Sequence, residues 1–431
     1  MRLWPVLFLS VLLHAYVGLR LLPALGNEMP GWGGLTWSVW ALTMVLSMSA
    51  LSIPLSLLSR RLGQQLVAES ATRALTWIGL LCMGFFSSLM VLTLLRDVML
   101  IVLWGTGLAG FHWGGWPAGG ISHLSAQVVP VLAALVTLWG FVNARRTAAV
   151  VRVDVPLAGL PLALHGFTLV QISDIHVGPT IKRHYLRRIV QRVNSLDADV
   201  VAVTGDMIDG TVAELAHHVA PLADLRSRHG TFFVTGNHEY YSGAHAWIDE
   251  LRRLGLTVLM NEHVVIERAA LSCDAPPGAP MLSPVSASLV LAGVTDFHAA
   301  HFDPAHRSDP AHALAGAPPG LLRVLLAHQP RSAEAALRAG FDLQLSGHTH
   351  GGQFWPWNLF VPLQQPFTAG LNRLESLWVY TSRGTGYWGP PKRFGAPSEI
   401  TLIRLVTRKI QVETVVSPGI YCLNSYQIYS F

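Results

Sequence analysis

Hydrophobic residues follow two unlike patterns along this chain, and the change comes near residue 150. Before it the apolar residues run unbroken. A bilayer core takes about 20 apolar residues in helix. Four stretches approach or meet that length: 3–22, 35–58, 75–95 and 126–142. The third regains its apolar character after Arg96-Asp97 as far as Trp104. Four such runs exceed what one soluble core shows, so the pattern predicts four transmembrane helices within residues 1–146. Ala24-Leu25-Gly26 loosely matches a signal cleavage site, and removal of the first span would leave the others oriented as before. Arg96-Asp97 is expected at the interface where the third helix emerges; the alternative is a charged pair inside a longer helix.

After residue 150 the apolar runs shorten to strand length. Phe167–Ile172, Val200–Thr204, Phe232–Thr235, Leu289–Gly293, Leu321–Leu326, Leu343–Leu345, Leu377–Thr381 and Glu399–Leu405 read as strands. Helical spacing appears at Tyr185–Asn194, Trp247–Leu254 and Ala333–Ala339. The alternation predicts an α/β domain over residues 150–412. The Pro/Ala/Gly-rich stretches 274–284 and 303–320 read as surface loops. The tail, 413–431, has no interpretable pattern.

Composition sharpens the division. Only 13% of the 431 residues are charged, against about 25% in ordinary soluble proteins. The formal net charge of +5 falls wholly within residues 1–150, where eight Arg face three acidic residues. The rest is neutral, which speaks against nucleic acid as a partner. The basic residues of the first region are Arg2, Arg60, Arg61, Arg73, Arg145 and Arg146, besides Arg20 and Arg96. With four spans, those six fall on one side. The positive-inside rule then places both termini and the second region in the cytoplasm, behind a multi-pass anchor in the inner membrane. Trp32, Trp37, Trp113 and Trp116 would lie at the far interface. The three cysteines, Cys82, Cys273 and Cys422, are scattered and suggest neither a disulfide framework nor a zinc site.

Polar residues recur just after the buried strands, where open α/β sheets gather their ligand sites. They are Asp174, His176, Asp206, Asn237, His328, His348 and His350. Carboxylate, amide and imidazole donors without thiolates suit Mn, Fe, Zn or Co. Seven are too many for one tetrahedral ion and fit two octahedral divalent ions that share a carboxylate. Such a pair clamps a phosphoryl group and activates water. At the strand ends, Asp174/His176 and His348/His350 each point to one side by the two-residue period, so both members of a pair can reach one ion.

These blocks resemble the calcineurin-like metallophosphoesterase superfamily, in its bacterial membrane-associated branch. Asp174-Ile175-His176 is similar to its D-x-H block, Gly205–Asp209 to G-D-x-x-D, Gly236–Glu239 to G-N-H-[DE], and Gly347–His350 to G-H-x-H. His328 stands as the isolated histidine. Gly351-Gly352-Gln353, Ser382–Gly386, Pro391–Phe394 and Pro397–Ile400 resemble the membrane-associated branch. The resemblance implies a two-sheet β-sandwich flanked by helices, bearing a metal-dependent phosphoric ester hydrolase. Asp174, His176 and His350 would bind one ion, Asn237, His328 and His348 the other, and Asp206 would bridge. His238 would assist the leaving group, oriented by Asp209. The superfamily's protein phosphatases carry D-R-G here, but Gly210 follows Asp209 directly. That speaks against a phosphoprotein substrate and leaves Arg383 and Arg393 as candidates for phosphate contact.

The implied activity is phosphodiester or pyrophosphate hydrolysis, with a lipid-linked substrate favoured by the anchor. Relatives in this branch include the UDP-diacylglucosamine pyrophosphohydrolase of lipid A synthesis, a narrower alternative. A membrane sensor or transporter with a regulatory phosphoesterase-like domain is the alternative of another class.

Overall fold

The computed structural model describes residues 3–26, 37–62, 69–108, 118–268 and 286–407. Four long helices come first: α1 (Leu3–Gly26), α2 (Trp37–Leu62), α3 (Glu69–Leu108) and α4 (Ala118–Arg145). Each is long and apolar enough to cross a membrane. Much of their apolar surface faces outward, as in Phe8, Met44, Val102 and Trp139. A buried apolar seam of Val17, Leu21, Leu46, Leu89 and Ala133 joins the helices. The expected loop 274–284, the tail 413–431, and Arg2, Trp32, Trp113 and Trp116 lie outside the described residues.

The third helix does not end at Arg96-Asp97. It runs on for three turns, and both residues are buried. Asp97 accepts from Tyr16 Oη at 2.6 Å and from Arg20 Nε at 2.8 Å. Arg96 donates to Ser125 Oγ at 3.0 Å and to the Ser122 carbonyl at 3.0 Å. The pair thus lies within one longer helix and joins α3 to α1 and α4. Its partners lie on other helices, so local hydropathy could not reveal them.

The α/β region opens with β1 (Ala149–Leu157), β2 (Thr168–Ile172), helix α5 (Arg183–Asn194), β3 (Val200–Val203), α6 (Val212–Val219), β4 (Thr231–Phe233), α7 (Asn237–Tyr241), α8 (Ala244–Arg253) and β5 (Thr257–Val258). It continues with β6 (Glu262–Arg268), β7 (Ala287–Gly293), α9 (Pro310–Ala313), β8 (Leu322–Leu326), α10 (Ala333–Ala339), β9 (Leu343–Ser346), β10 (Gly370–Leu374), β11 (Leu377–Thr381) and β12 (Glu399–Thr407). Two six-stranded mixed sheets result, ordered β1-β12-β2-β3-β4-β5 and β10-β11-β9-β8-β7-β6. Leu169, Val200, Ala202, Leu291, Val324, Leu345 and Ile403 fill the layer between them. A second core, with Ile189, Val201, Phe233, Trp247 and Leu251, seals the first sheet beneath α5 and α8.

The continuous apolar strands are the central ones. Sequence pattern alone misses β1, β6 and β10, whose polar or half-exposed residues reflect positions at or near sheet edges. Pairing with a neighbour, not a continuous apolar run, makes these segments strands.

Candidate metal centre

The parallel strands β2, β3, β4, β8 and β9 all end at one edge of the sandwich, and each hands a loop to the same spot. Asp174 and His176 follow β2, Asp206 follows β3, Asn237 and His238 open α7 after β4, His328 follows β8, and His348 and His350 follow β9. The two-residue period is not what aligns them. Asp174, His176, Asp206, His348 and His350 all have left-handed backbones, with φ of 54°, 57°, 54°, 70° and 52°. Non-glycine residues rarely adopt this region, and such strain collects where a site over-determines the backbone. Each chain therefore turns sharply where it leaves its strand.

Two groups result. Asp174, His176 and His350 converge within 4.8 Å, as do Asp206, His328 and His348. His176 Nε2 lies 3.0 Å from His350 Nε2, and His350 Nε2 lies 3.4 Å from Asp174 Oδ1. In the second group, His328 Nε2 is 3.2 Å from His348 Nδ1 and 3.2 Å from Asp206 Oδ2. Asp206 Oδ2 also lies 4.0 Å from His176 Nε2, so this carboxylate stands between the groups. Asn237 Oδ1 is buried and has no hydrogen-bond partner. An unpaired buried amide oxygen is costly, and a cation beside it would satisfy it. Stacked imidazoles, shared carboxylate and orphan oxygen fit two divalent ions of the hard or borderline kind.

Burial acts against the charge of Asp206, yet nearby His328 and His238 outweigh it and hold its carboxyl well below the usual range. Asp174 is pushed up, chiefly by burial. His348 is pushed down to about 3 by burial and by His328, which keeps its ring neutral and able to ligate.

His238 takes a different position. Its backbone N–H donates to Asp206 Oδ1 at 2.8 Å, and its ring Nδ1 meets Asp209 Oδ1 at 2.5 Å. Its Nε2 points toward the shared carboxylate, 3.9 Å from Asp206 Oδ2. Burial opposes a charge on this ring, but Asp206 and Asp209 prevail and raise it to about 9. Asp209 also contacts His176 Nδ1 at 3.2 Å, so one carboxylate steadies both the His176 and the His238 rings. The rings of Tyr241 and Trp388 stand edge-on to His238, with centroids 5.2 and 5.8 Å away.

The two arginines part company. Arg383 pairs with Glu399 at 2.8 Å, and its side chain keeps 36% of its exposure. Arg393 is fully buried. Its guanidinium donates to the carbonyls of Gly386, His350, Arg383 and Ala396, and its Nη2 lies 2.9 Å from His350 Nδ1. With its donors so engaged, Arg393 sits behind His350 and holds that residue by its carbonyl. A basic residue in a loop-rich segment reads as exposed, so the sequence suggested phosphate contact instead.

Glu239, the last residue of the G-N-H-[DE] block, organises the site. Fully buried, it accepts from the backbone N–H groups of Asp206, Met207 and Gly236 at 3.0, 2.8 and 2.6 Å. Burial and Asp206 raise it to about 7. Behind the second group, Asp296 accepts from Gln329 Nε2 at 3.0 Å. Neither Asp296 nor Gln329 lies in a recognisable block.

Residues 167–352 match the sequence profile described as Calcineurin-like phosphoesterase. A transmembrane protein with metallophosphoesterase domain from Danio rerio is 39% identical over 280 residues, 64% of this chain and 61% of that protein. A protein of the same description from Bos taurus is 41% identical, over 64% of this chain and 62% of its own length. An uncharacterized metallophosphoesterase of Campylobacter jejuni is 34% identical, over 62% of this chain and 66% of its own. The chain thus spans about three fifths of the first two relatives, 61% and 62%. Among solved structures, a putative 5'-nucleotidase from Staphylococcus aureus gives a TM-score of 0.32 at 15% identity, covering 56% of this chain and 54% of that one.

Proposed function

We propose that this chain, whose residues 167–352 match the calcineurin-like phosphoesterase profile and follow four membrane-type helices, is a membrane-anchored, dinuclear metal-dependent phosphoesterase acting on a phosphodiester or pyrophosphate. The observation that carries this reading is the pair of ligand groups meeting at Asp206, with the orphan Asn237 oxygen beside them. Asp174, His176 and His350 would hold one ion; Asn237, His328 and His348 the other; Asp206 would serve both. Two such ions supply Lewis-acid stabilisation of the phosphoryl oxygens and a nucleophilic water at neutral pH.

The protein's own side chains do the rest. His238 holds a proton on Nε2, because Asp209 occupies Nδ1 and adjacent carboxylates favour the imidazolium. It delivers that proton to the leaving oxygen as the P–O bond breaks. Arg383, the partly exposed guanidinium, is the candidate for a bidentate phosphate contact. Arg60 and Arg61 in the last turn of α2, Arg73 in the first turns of α3, and Arg145-Arg146 at the end of α4 support an inner-membrane topology with the domain in the cytoplasm.

The test uses purified full-length protein. With Mn²⁺ it should hydrolyse bis(p-nitrophenyl) phosphate, and Asp206→Asn should abolish turnover. Equal inertness of wild type and variant across phosphodiesters, monoesters and pyrophosphates would defeat the enzyme reading and favour the regulatory one.

A further inference from the structure

The segment just after the G-H-x-H block combines two properties. No charged residue occurs from Gly351 to Asn372. Trp355, Trp357, Leu359, Phe360 and Leu363 are 40, 47, 62, 52 and 80% exposed, the densest such run outside the membrane-type helices among the described residues. Two short 3₁₀ turns, Trp357–Leu359 and Val361–Leu363, present these side chains. Contiguous exposed apolar surface of this kind marks a membrane or partner contact.

Its position decides between them. Trp357 Nε1 donates to Ser87 Oγ on α3 at 3.1 Å, within the apolar span Ser70–Gly107. Lys392 fastens the neighbouring loop to the same helix, at the Gly84 carbonyl (2.8 Å) and Ser88 Oγ (2.5 Å). The segment therefore lies against the flank of a membrane-type helix. Uncharged and Trp-rich, it has the composition of a bilayer interface.

The same surface reaches the site. Gln353 brackets Trp388 through two backbone contacts of 2.8 Å each, and Trp388 stands beside His238. Trp388 is itself 54% exposed. Gln353 thus ties the chain that carries this apolar segment to Trp388, which stands next to His238.

We propose that residues 355–363 and Trp388 insert into the headgroup–acyl boundary beside α3, and that the site takes the phosphoester of an amphiphile whose chains remain in that leaflet. The substrate part rests on the phosphoesterase reading above; the membrane part does not. Hexadecyl and methyl p-nitrophenyl phosphate share one scissile bond and differ in anchoring. With full-length protein in phosphatidylcholine/phosphatidylglycerol vesicles and Mn²⁺, the hexadecyl ester should turn over at least tenfold faster. Leu359→Glu/Phe360→Glu/Leu363→Glu should erase that preference and leave the methyl ester rate unchanged. A preference absent in wild type, or retained in the variant, overturns the proposal. A second measurement needs neither activity nor a triple variant. A nitrobenzoxadiazole label on Phe360→Cys, with Cys82, Cys273 and Cys422 replaced by Ser, should be quenched by brominated lipid. An unquenched label places the segment in water or under a protein partner and overturns the membrane contact. A quenched label with both esters inert overturns the phosphoesterase reading and the substrate assignment, while the membrane contact stands.

Discussion

Arg393→Lys separates two roles for one residue. The substitution keeps the positive charge but replaces a five-donor planar fork with three donors on one atom. Arg393 serves four backbone carbonyls, that of His350 among them. Lysine can satisfy at most three of those four acceptors, so at least one hydrogen bond from a charged donor is lost. Such a bond is worth about 1.5–3 kcal/mol, which sets the least destabilisation expected where no water enters. His350 would lose the anchor of its backbone, and loss of a group that orients a ligand typically costs about 10–100-fold in metal affinity. The assay pairs thermal unfolding in detergent with calorimetric Mn²⁺ titration. The expected result is a lower unfolding temperature and one weakened Mn²⁺ site. Unchanged stability and metal affinity with a raised KM would refute the reasoning and return Arg393 to the phosphate contact suggested by its sequence context.

Other perturbations follow from the same geometry. His238→Ala should slow turnover by about 10²–10⁴-fold, and far more for a phenyl than for a p-nitrophenyl leaving group; equal losses on both esters would show that His238 does not protonate the leaving oxygen. A Cβ added at Gly347 would overlap Ser173 Oγ and an Asp174 carboxylate oxygen, so Gly347→Ala should lower the bound Mn²⁺ per chain, measured by elemental analysis after dialysis. Burial brings the Lys392 ammonium down to about 8 from an ordinary 10.5. Between those values the unfolded chain keeps the proton and the folded one sheds it. The penalty is therefore complete below pH 8, and stability should rise by about 3 kcal/mol from pH 8 to 10.5. Lys392→Met should flatten that rise in unfolding midpoints recorded across the range.

The sequence alone determined whatever depends on local pattern. Long apolar runs fix the membrane-type helices, because a bilayer-length helix needs no partner to be legible. Buried central strands are equally plain, and the polar residues that follow them identify the ligand chemistry. The tertiary structure decided everything that depends on partners distant in sequence. Arg96 and Asp97 are buried because α1 and α4 supply hydrogen bonds, a fact absent from the third run itself. Asp174 and His176 converge through left-handed turns, not strand alternation, since loops from five strands must fit one edge. Arg393 looked like a ligand for phosphate until folding placed it behind His350. Nothing in residues 355–363 names their neighbour, and only the Trp357–Ser87 contact puts that segment against a membrane-type helix. Donor types and apolar lengths are properties of residues and short segments; which donor meets which acceptor is set by the packing of elements far apart in the chain.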